Sequence, residues 1–124
     1  MTQYFSQQTE LIKEIHQQLT EHLEQRFTIA ELSKQYLINT STLKEIFKAV
    51  YGQPIATYMK EFRVRQAMKL LRETNDTIAD IASQVGYQTQ GKFSSAFQSI
   101  VKMSPREYRK IQGIAPLDSF SKTL

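Results

Sequence analysis

The sequence predicts an all-α fold, a seven-helix domain of two helix-turn-helix subdomains joined by a long central helix. Three observations predict it. Apolar residues recur at spacings of three and four through most of the chain, which is the helical period. Residues 27–58, FTIAELSKQYLINTSTLKEIFKAVYGQPIATY, and residues 76–108, DTIADIASQVGYQTQGKFSSAFQSIVKMSPREY, are one unit written twice. Thr28/Thr77, Ile29/Ile78, Ala30/Ala79, Glu31/Asp80 and Gln35/Gln84 pair at an offset of 49, whereas Phe47/Phe97 and Tyr58/Tyr108 pair at 50, so the second turn holds one extra residue. Between the two copies, a single apolar stripe from Ile55 to Arg72 is long enough for one extended helix.

The first helix is expected over Thr9–Gln25, with Ile12, Ile15, Leu19 and Leu23 on its inner side and acidic residues outside. It covers the first repeat. Its two histidines, His16 and His22, are read as packing or surface residues. Thr28 and Glu31 fit a reciprocal capping box, and Phe27 with Leu32 fits a hydrophobic staple, so the second helix starts here. Its inward residues are Ile29, Ala30, Leu32 and Ser33; Ser33 and its counterpart Ala82 are small enough for close helix crossing. A turn at Tyr36–Ile38 leads to Asn39, a good cap for the third helix. There Leu43, Ile46, Phe47 and Val50 face inward, Ser41, Lys44, Glu45 and Lys48 face outward, and Gly52 ends the helix in the left-handed conformation.

The central helix buries Ile55, Tyr58, Met59, Phe62, Ala67, Leu70 and Leu71, and Asn75-Asp76 ends it. Its eighteen residues span about 27 Å at about 1.5 Å each. That suits two reading helices in successive major grooves of a duplex whose turn advances about 34 Å. Arg63, Arg65, Lys69 and Arg72 along it are expected to be solvated or paired with Glu61, Glu73 or Asp76, a minority touching phosphate. Thr77 and Asp80 form a weaker capping box, Gly86 supplies a positive φ, and the sixth helix resumes near Thr89. Phe93, Ala96, Phe97 and Ile100 face inward; Gly91, Lys92, Ser95, Gln98 and Ser99 face outward. Ser104-Pro105-Arg106-Glu107 is a capping box with proline at the first helical position. A short helix ending at Arg109-Lys110 follows, and Gln112–Leu124 reads as a tail.

At 124 residues with 40% apolar composition, the chain fits one compact unit or two very small ones sharing packing. Cysteine is absent, no apolar run reaches the roughly 18 to 20 residues that span a bilayer, and MTQYFSQQTE lacks a signal-peptide pattern. The expectation is a cytoplasmic protein without membrane contact. Residues 1–31 carry two basic and five acidic side chains, whereas residues 32–110 carry thirteen basic and six acidic. The positive excess lies on the repeated section and suits a polyanion. No nucleophile with an oriented base is discernible, so no enzyme, cofactor or metal site is expected. RNA binding lacks a stacking platform, since Tyr36, Tyr51, Tyr58, Tyr87 and Tyr108 fall mostly on inward or turn positions.

The spaced residues Gly52 and Tyr58; Arg63, Val64, Ala67 and Leu71; Ile78, Ala79, Ile81, Ala82, Gly86 and Tyr87; Phe93 and Phe97; and Ser104, Pro105, Tyr108 and Arg109 resemble the DNA-binding domain of the AraC/XylS family of bacterial transcription regulators. The resemblance covers residues 8–110, with a first lobe over about 8–53, a linker helix over about 55–73, a second lobe over about 76–110, and a tail over 111–124. It implies sequence-specific binding of double-stranded DNA by the third and sixth helices. For most members it also implies an effector-sensing or dimerising domain outside these residues. RNA polymerase is a further candidate partner, and the isolated domain is expected to be monomeric.

Carried over by position, the base-reading residues of the first lobe are Ser41, Lys44 and Glu45, and Thr42 and Lys48 of the same helix are expected to bind DNA beside them. In the second the base-reading residues are Gln90, Gly91, Lys92, Ser94 and Ser95. Asn39, Thr40 and Thr89 mark the helix starts, where backbone amides meet phosphate. Glu45 stands where the family often has arginine; a carboxylate accepts from cytosine N4 and repels phosphate. Ser95, Gln98 and Ser99 replace residues that are often basic, so the first lobe is expected to contribute more affinity. Lys102 replaces the glycine that usually closes the sixth helix, at a cost of about 1 kcal/mol if φ is positive. The alternative is a protein-interaction module that keeps the fold and has lost DNA binding.

Overall fold

Seven helices and no strand occur among residues 2–114, which the computed structural model describes: α1 (Thr2–Glu21), α2 (Ile29–Tyr36), α3 (Thr40–Tyr51), α4 (Ile55–Glu73), α5 (Ile78–Gln84), α6 (Gln90–Val101) and α7 (Pro105–Ile114). The chain divides into two compact units within α4, after Phe62. The first half of α4 supplies Met59 to one core, and the second half supplies Val64, Ala67 and Leu71 to the other.

In the first unit α1 and α2 both pack on α3. Ile12, Ile15 and Leu19 are buried with Leu32, Ile38, Leu43, Ile46, Phe47 and Met59. The helix α1 starts at Thr2 and stops at Glu21, not over Thr9–Gln25 as expected. Its early turns contain Ser6, Gln7 and Gln8, polar residues that form helix without leaving an apolar period. The residues after Glu21 form a turn, closed by the Gln25 N–H donating to the His22 carbonyl at 3.0 Å.

Thr28 and Glu31 form the expected reciprocal box. The Glu31 N–H donates to Thr28 Oγ1 at 3.0 Å, and the Thr28 N–H donates to Glu31 Oε1 at 2.8 Å. The bond from the Thr28 backbone holds the Glu31 carboxyl below the ordinary glutamate range. Leu32 is fully buried and Phe27 packs on the same core, as a staple requires. Ala30, expected to face inward, is exposed; a methyl group is too small for periodicity to assign its side.

The turns of the two repeats close alike. Leu37 lies at φ 53° and Gly86 at φ 93°. The following N–H groups, of Ile38 and Tyr87, reach back to the Ser33 and Ala82 carbonyls at 3.0 and 2.9 Å. This is the six-to-one bond that satisfies a carbonyl left over at a helix end. Ser33 also donates its hydroxyl proton to the Ile38 carbonyl. The extra residue of the second repeat lies between Tyr87 and Thr89, in the turn as expected. The helices α3 and α6 end alike too: Gly52 at φ 82° and Lys102 at φ 68° donate N–H to the Lys48 and Gln98 carbonyls. Each repeat thus has one glycine and one side-chain-bearing residue at its two left-handed positions.

In the second unit α5 and α7 pack on α6, and Val64, Ala67, Leu71, Ile81, Ala82, Val85, Phe93, Ala96, Phe97 and Tyr108 are buried together. The Ser104–Glu107 box forms in both directions at 3.0 and 3.1 Å. Arg63 of α4 departs from expectation, and Arg72, exposed as expected, gains a partner outside α4. Arg63 is only 2% exposed, and its Nη1 donates to the Val85 carbonyl at the end of α5. Arg72 donates to the Tyr108 hydroxyl at 2.8 Å. Neither bond engages Glu61, Glu73 or Asp76; a guanidinium offers several donors in one plane, which suits carbonyls exposed at a helix end. Arg109 of α7 does the same for the end of α4, donating to the Leu71, Thr74 and Asp76 carbonyls.

The helix α7 runs to Ile114 rather than ending at Arg109-Lys110. Ile111 and Gln112 are half-buried, and Gly113 falls in the last turn, where its low helix propensity costs least. Residues 115–124 of the expected tail lie outside the described residues.

His16 joins three helices of the first unit. Its ring stacks on Tyr51 at 4.2 Å between centroids, and its Nε2 shares a 2.7 Å hydrogen bond with the Tyr58 hydroxyl. It is the packing role expected of it, and burial pushes its pKa below the ordinary histidine value of 6.5.

Two predictions follow from these features. Leu37→Gly should stabilise the fold by about 1 kcal/mol by relieving left-handed strain, and Lys102→Gly by less because it also removes the ammonium bond to the Ser99 carbonyl, whereas Gly52→Ala should destabilise it by about 1 kcal/mol. Urea denaturation reads all three. Because the folded-state pKa of His16 is depressed, its contribution is complete above pH 6.5 and is lost as pH falls below that value. Denaturation midpoints should therefore drop between neutral and mildly acidic pH, and His16→Gln should flatten that part of the profile.

Candidate nucleic-acid interface

Two outward helix faces result from this packing. On α3 the burial of Leu43, Ile46 and Phe47 leaves Ser41, Lys44, Glu45 and Lys48 exposed, and Thr42 is half-buried. Helical geometry requires this, since positions 41, 44, 45 and 48 lie on one side at 100° per residue. Among the described residues, the side chains of Lys44, Glu45 and Lys48 make no ion pair or hydrogen bond. They are available to an outside partner.

On α6 the burial of Phe93, Ala96 and Phe97 leaves Gln90, Gly91, Lys92 and Ser95 exposed, with Ser94 half-buried. A methyl group built on Gly91 would meet nothing within 4 Å, so internal packing does not require glycine there. Toward the end of the helix, the Ser99 hydroxyl donates to the Ala96 carbonyl and the Lys102 ammonium donates to the Ser99 carbonyl. That part of the face serves its own helix end.

The starts of the two helices differ. Asn39 Oδ1 accepts from the Ser41 and Thr42 N–H groups at 2.8 and 3.4 Å. In the first turn of α3 this leaves Thr40, exposed, as the residue whose amide has no cap. Thr89 Oγ1 accepts only from the Lys92 N–H, at 3.1 Å, leaving the Gln90 and Gly91 amides uncapped. The structure thus shares the amide donors unevenly, more at α6 than at α3, which the sequence pattern did not reveal.

Arg106 was absent from the expected reading residues. It stands at the second position of α7 and lines a concavity with Gln90 and Ser94 of the α6 face. Its SPRE context marked it as part of a helix start, and only the packing of α7 on α6 brings it beside Gln90 and Ser94. Among the described residues no group of three or more metal-ligating side chains occurs, and no helix is long and apolar enough to cross a membrane.

A family model described as a helix-turn-helix domain matches residues 32–111. An AraC-like transcription regulator of Streptomyces lividans is 39% identical over 84 residues, covering 68% of this chain and 28% of that protein. The chain therefore spans under a third of that curated relative. Among solved structures, the C-terminal domain of AraT, a response regulator from Geobacillus stearothermophilus, superposes with a TM-score of 0.79 at 27% identity, covering 86% of this chain and 89% of that one. The DNA-binding domain of AdpA, solved in complex with a target DNA, has a TM-score of 0.78 at 21% identity, covering 86% and 96%. The seven helices, the repeated turn and these matches agree: the chain belongs to the AraC/XylS family, as its helix-turn-helix domain.

Proposed function

We propose that this chain binds double-stranded DNA as the DNA-binding part of a bacterial transcription regulator, each unit placing its reading helix, α3 or α6, in a major groove. The observation that carries the reading is the pair of outward faces, each second in a helix-turn-helix and each free of internal partners at its charged groups. Lysines on these faces displace counterions from the duplex and supply attraction without sequence preference. Discrimination among sequences then rests on Ser41, Thr42, Lys44, Glu45 and Lys48 in one unit and Gln90, Gly91, Lys92, Ser94 and Ser95 in the other. Glu45 suits cytosine N4 and disfavours close phosphate, so it acts as a selective contact.

Asn39, Thr40 and Thr89 set the register of each helix on the backbone, α6 through more uncapped amides than α3. The chemistry is binding rather than catalysis, and the compartment is the bacterial cytoplasm, where the duplex is. As in most members of the family, the whole regulator would add an effector-sensing or dimerising domain, and RNA polymerase is a candidate partner.

A mobility-shift series at low salt tests the proposal. The chain should retard bulk duplex, and selection from random sequence should return a preferred site. Lys44→Ala should weaken binding more than Lys92→Ala, each lowering the salt slope by about one. Neither should move the thermal midpoint appreciably, because both side chains are exposed. Absence of any shift at low salt would favour an interaction module that keeps the fold without the duplex.

A further inference from the structure

The second unit has a concavity of about 270 Å³ between the starts of α6 and α7, lined by Ile78, Gln90, Ser94, Ser104, Pro105 and Arg106. No carboxylate lines it. Glu107, next to Arg106 in sequence, turns its carboxylate back onto the Ser104 N–H, and that bond holds its pKa below the ordinary range. Arg106 is exposed and has no ion-pair partner among the described residues. Its guanidinium has no hydrogen-bond acceptor among those residues either, whereas those of Arg63, Arg72 and Arg109 bond to carbonyl or hydroxyl oxygens.

We propose that this concavity holds a backbone phosphate of the bound duplex, with Arg106 supplying the charge that the α6 face lacks. The assignment rests on the DNA-binding reading above and deepens it. A guanidinium presents two parallel N–H groups to two phosphate oxygens, and the Gln90 amide and the Ser94 and Ser104 hydroxyls are hydrogen-bond donors in the same lining. Ser104 Oγ already accepts from the Glu107 N–H, which leaves its own proton to give. Ile78 and Pro105 make the apolar part of the wall. Gln90 and Ser94 belong to both the concavity and the reading face, so a phosphate seated here would fix the register of α6 on the bases beside it. Arg106 is thus a positioning residue for the second reading helix.

The test compares the full chain with Arg106→Gln and Arg106→Lys by fluorescence anisotropy on a random-sequence duplex, across roughly 50 to 200 mM salt. Arg106→Gln should lower the salt slope by about 0.9 and weaken binding to all duplex sequences by a similar factor. Arg106→Lys should keep the slope while losing part of the affinity, because an ammonium keeps the charge without the paired donors. Unchanged slope and affinity in Arg106→Gln, with the wild-type chain binding duplex, would overturn the assignment and leave the DNA-binding reading intact. A wild-type chain that binds no duplex would overturn both. Saturable binding of inorganic phosphate that Arg106→Gln abolishes, with the duplex slope unchanged, would make this a free-anion site and also overturn the assignment.

Discussion

The left-handed reversal at the end of the first helix of each motif is the constraint on which the rest depends. One residue at positive φ lets the next N–H return to a carbonyl five residues earlier, from Ile38 to Ser33 and from Tyr87 to Ala82. The chain leaves that bond already turned, with Asn39 or Thr89 placed to cap the next helix. Leu43 and Phe47, or Phe93 and Phe97, then fall into the core. Once the inner side of a helix is set at 100° per residue, its outer side is set as well. Packing therefore fixes where the outward faces lie and leaves their composition open. Ser41, Lys44, Glu45 and Lys48 can differ from Gly91, Lys92 and Ser95 without disturbing either core.

Strain at these reversals is divided unequally. Glycine relieves it at Gly52 and Gly86, while Leu37 and Lys102 hold the same conformation against a β-carbon. Lys102 recovers part of that cost through its ammonium bond to the Ser99 carbonyl. Leu37 recovers nothing comparable, since its side chain is 91% exposed. The first reversal thus depends on the surrounding core of Leu32, Ile38 and Leu43 to impose it.

What the sequence revealed and what it concealed divide by the distance between partners along the chain. The Thr28–Glu31 and Ser104–Glu107 boxes join residues three apart, so residue type and spacing were enough to place them. The exposure of Lys44 and Lys92 was legible for a related reason, since it is the complement of a local apolar period. Arg63 and Val85 are 22 residues apart, and His16 and Tyr58 are 42 apart. No local pattern announces that a polar side chain will find its partner at such a separation. Ala30 and the early turns of α1 were missed for the opposite reason, because small or uniformly polar residues leave no period to read. Arg106 was visible as part of a capping sequence, but its place beside Gln90 and Ser94 exists only through the packing of α7 on α6.

The fate of the basic residues changes how the charge of the chain should be weighed. Thirteen lysines and arginines lie in residues 32–110, yet three of the arginines bond to protein oxygens at the ends of α4 and α5 and on Tyr108. Arginine is suited to that work because its donors are planar and preorganised, whereas a lysine ammonium is better hydrated and stays outside. The exposed positive charge is therefore carried mainly by lysines, with Arg65, Arg72 and Arg106 as exposed arginines of the second unit. Arg65 lies on α4, but Arg106 adjoins the α6 face, where Lys92 is the one cation on the helix itself. A face so low in charge gains little from long-range attraction. What the face does offer is donors held at fixed positions, since the uncapped amides of Gln90 and Gly91 are kept in place by α6.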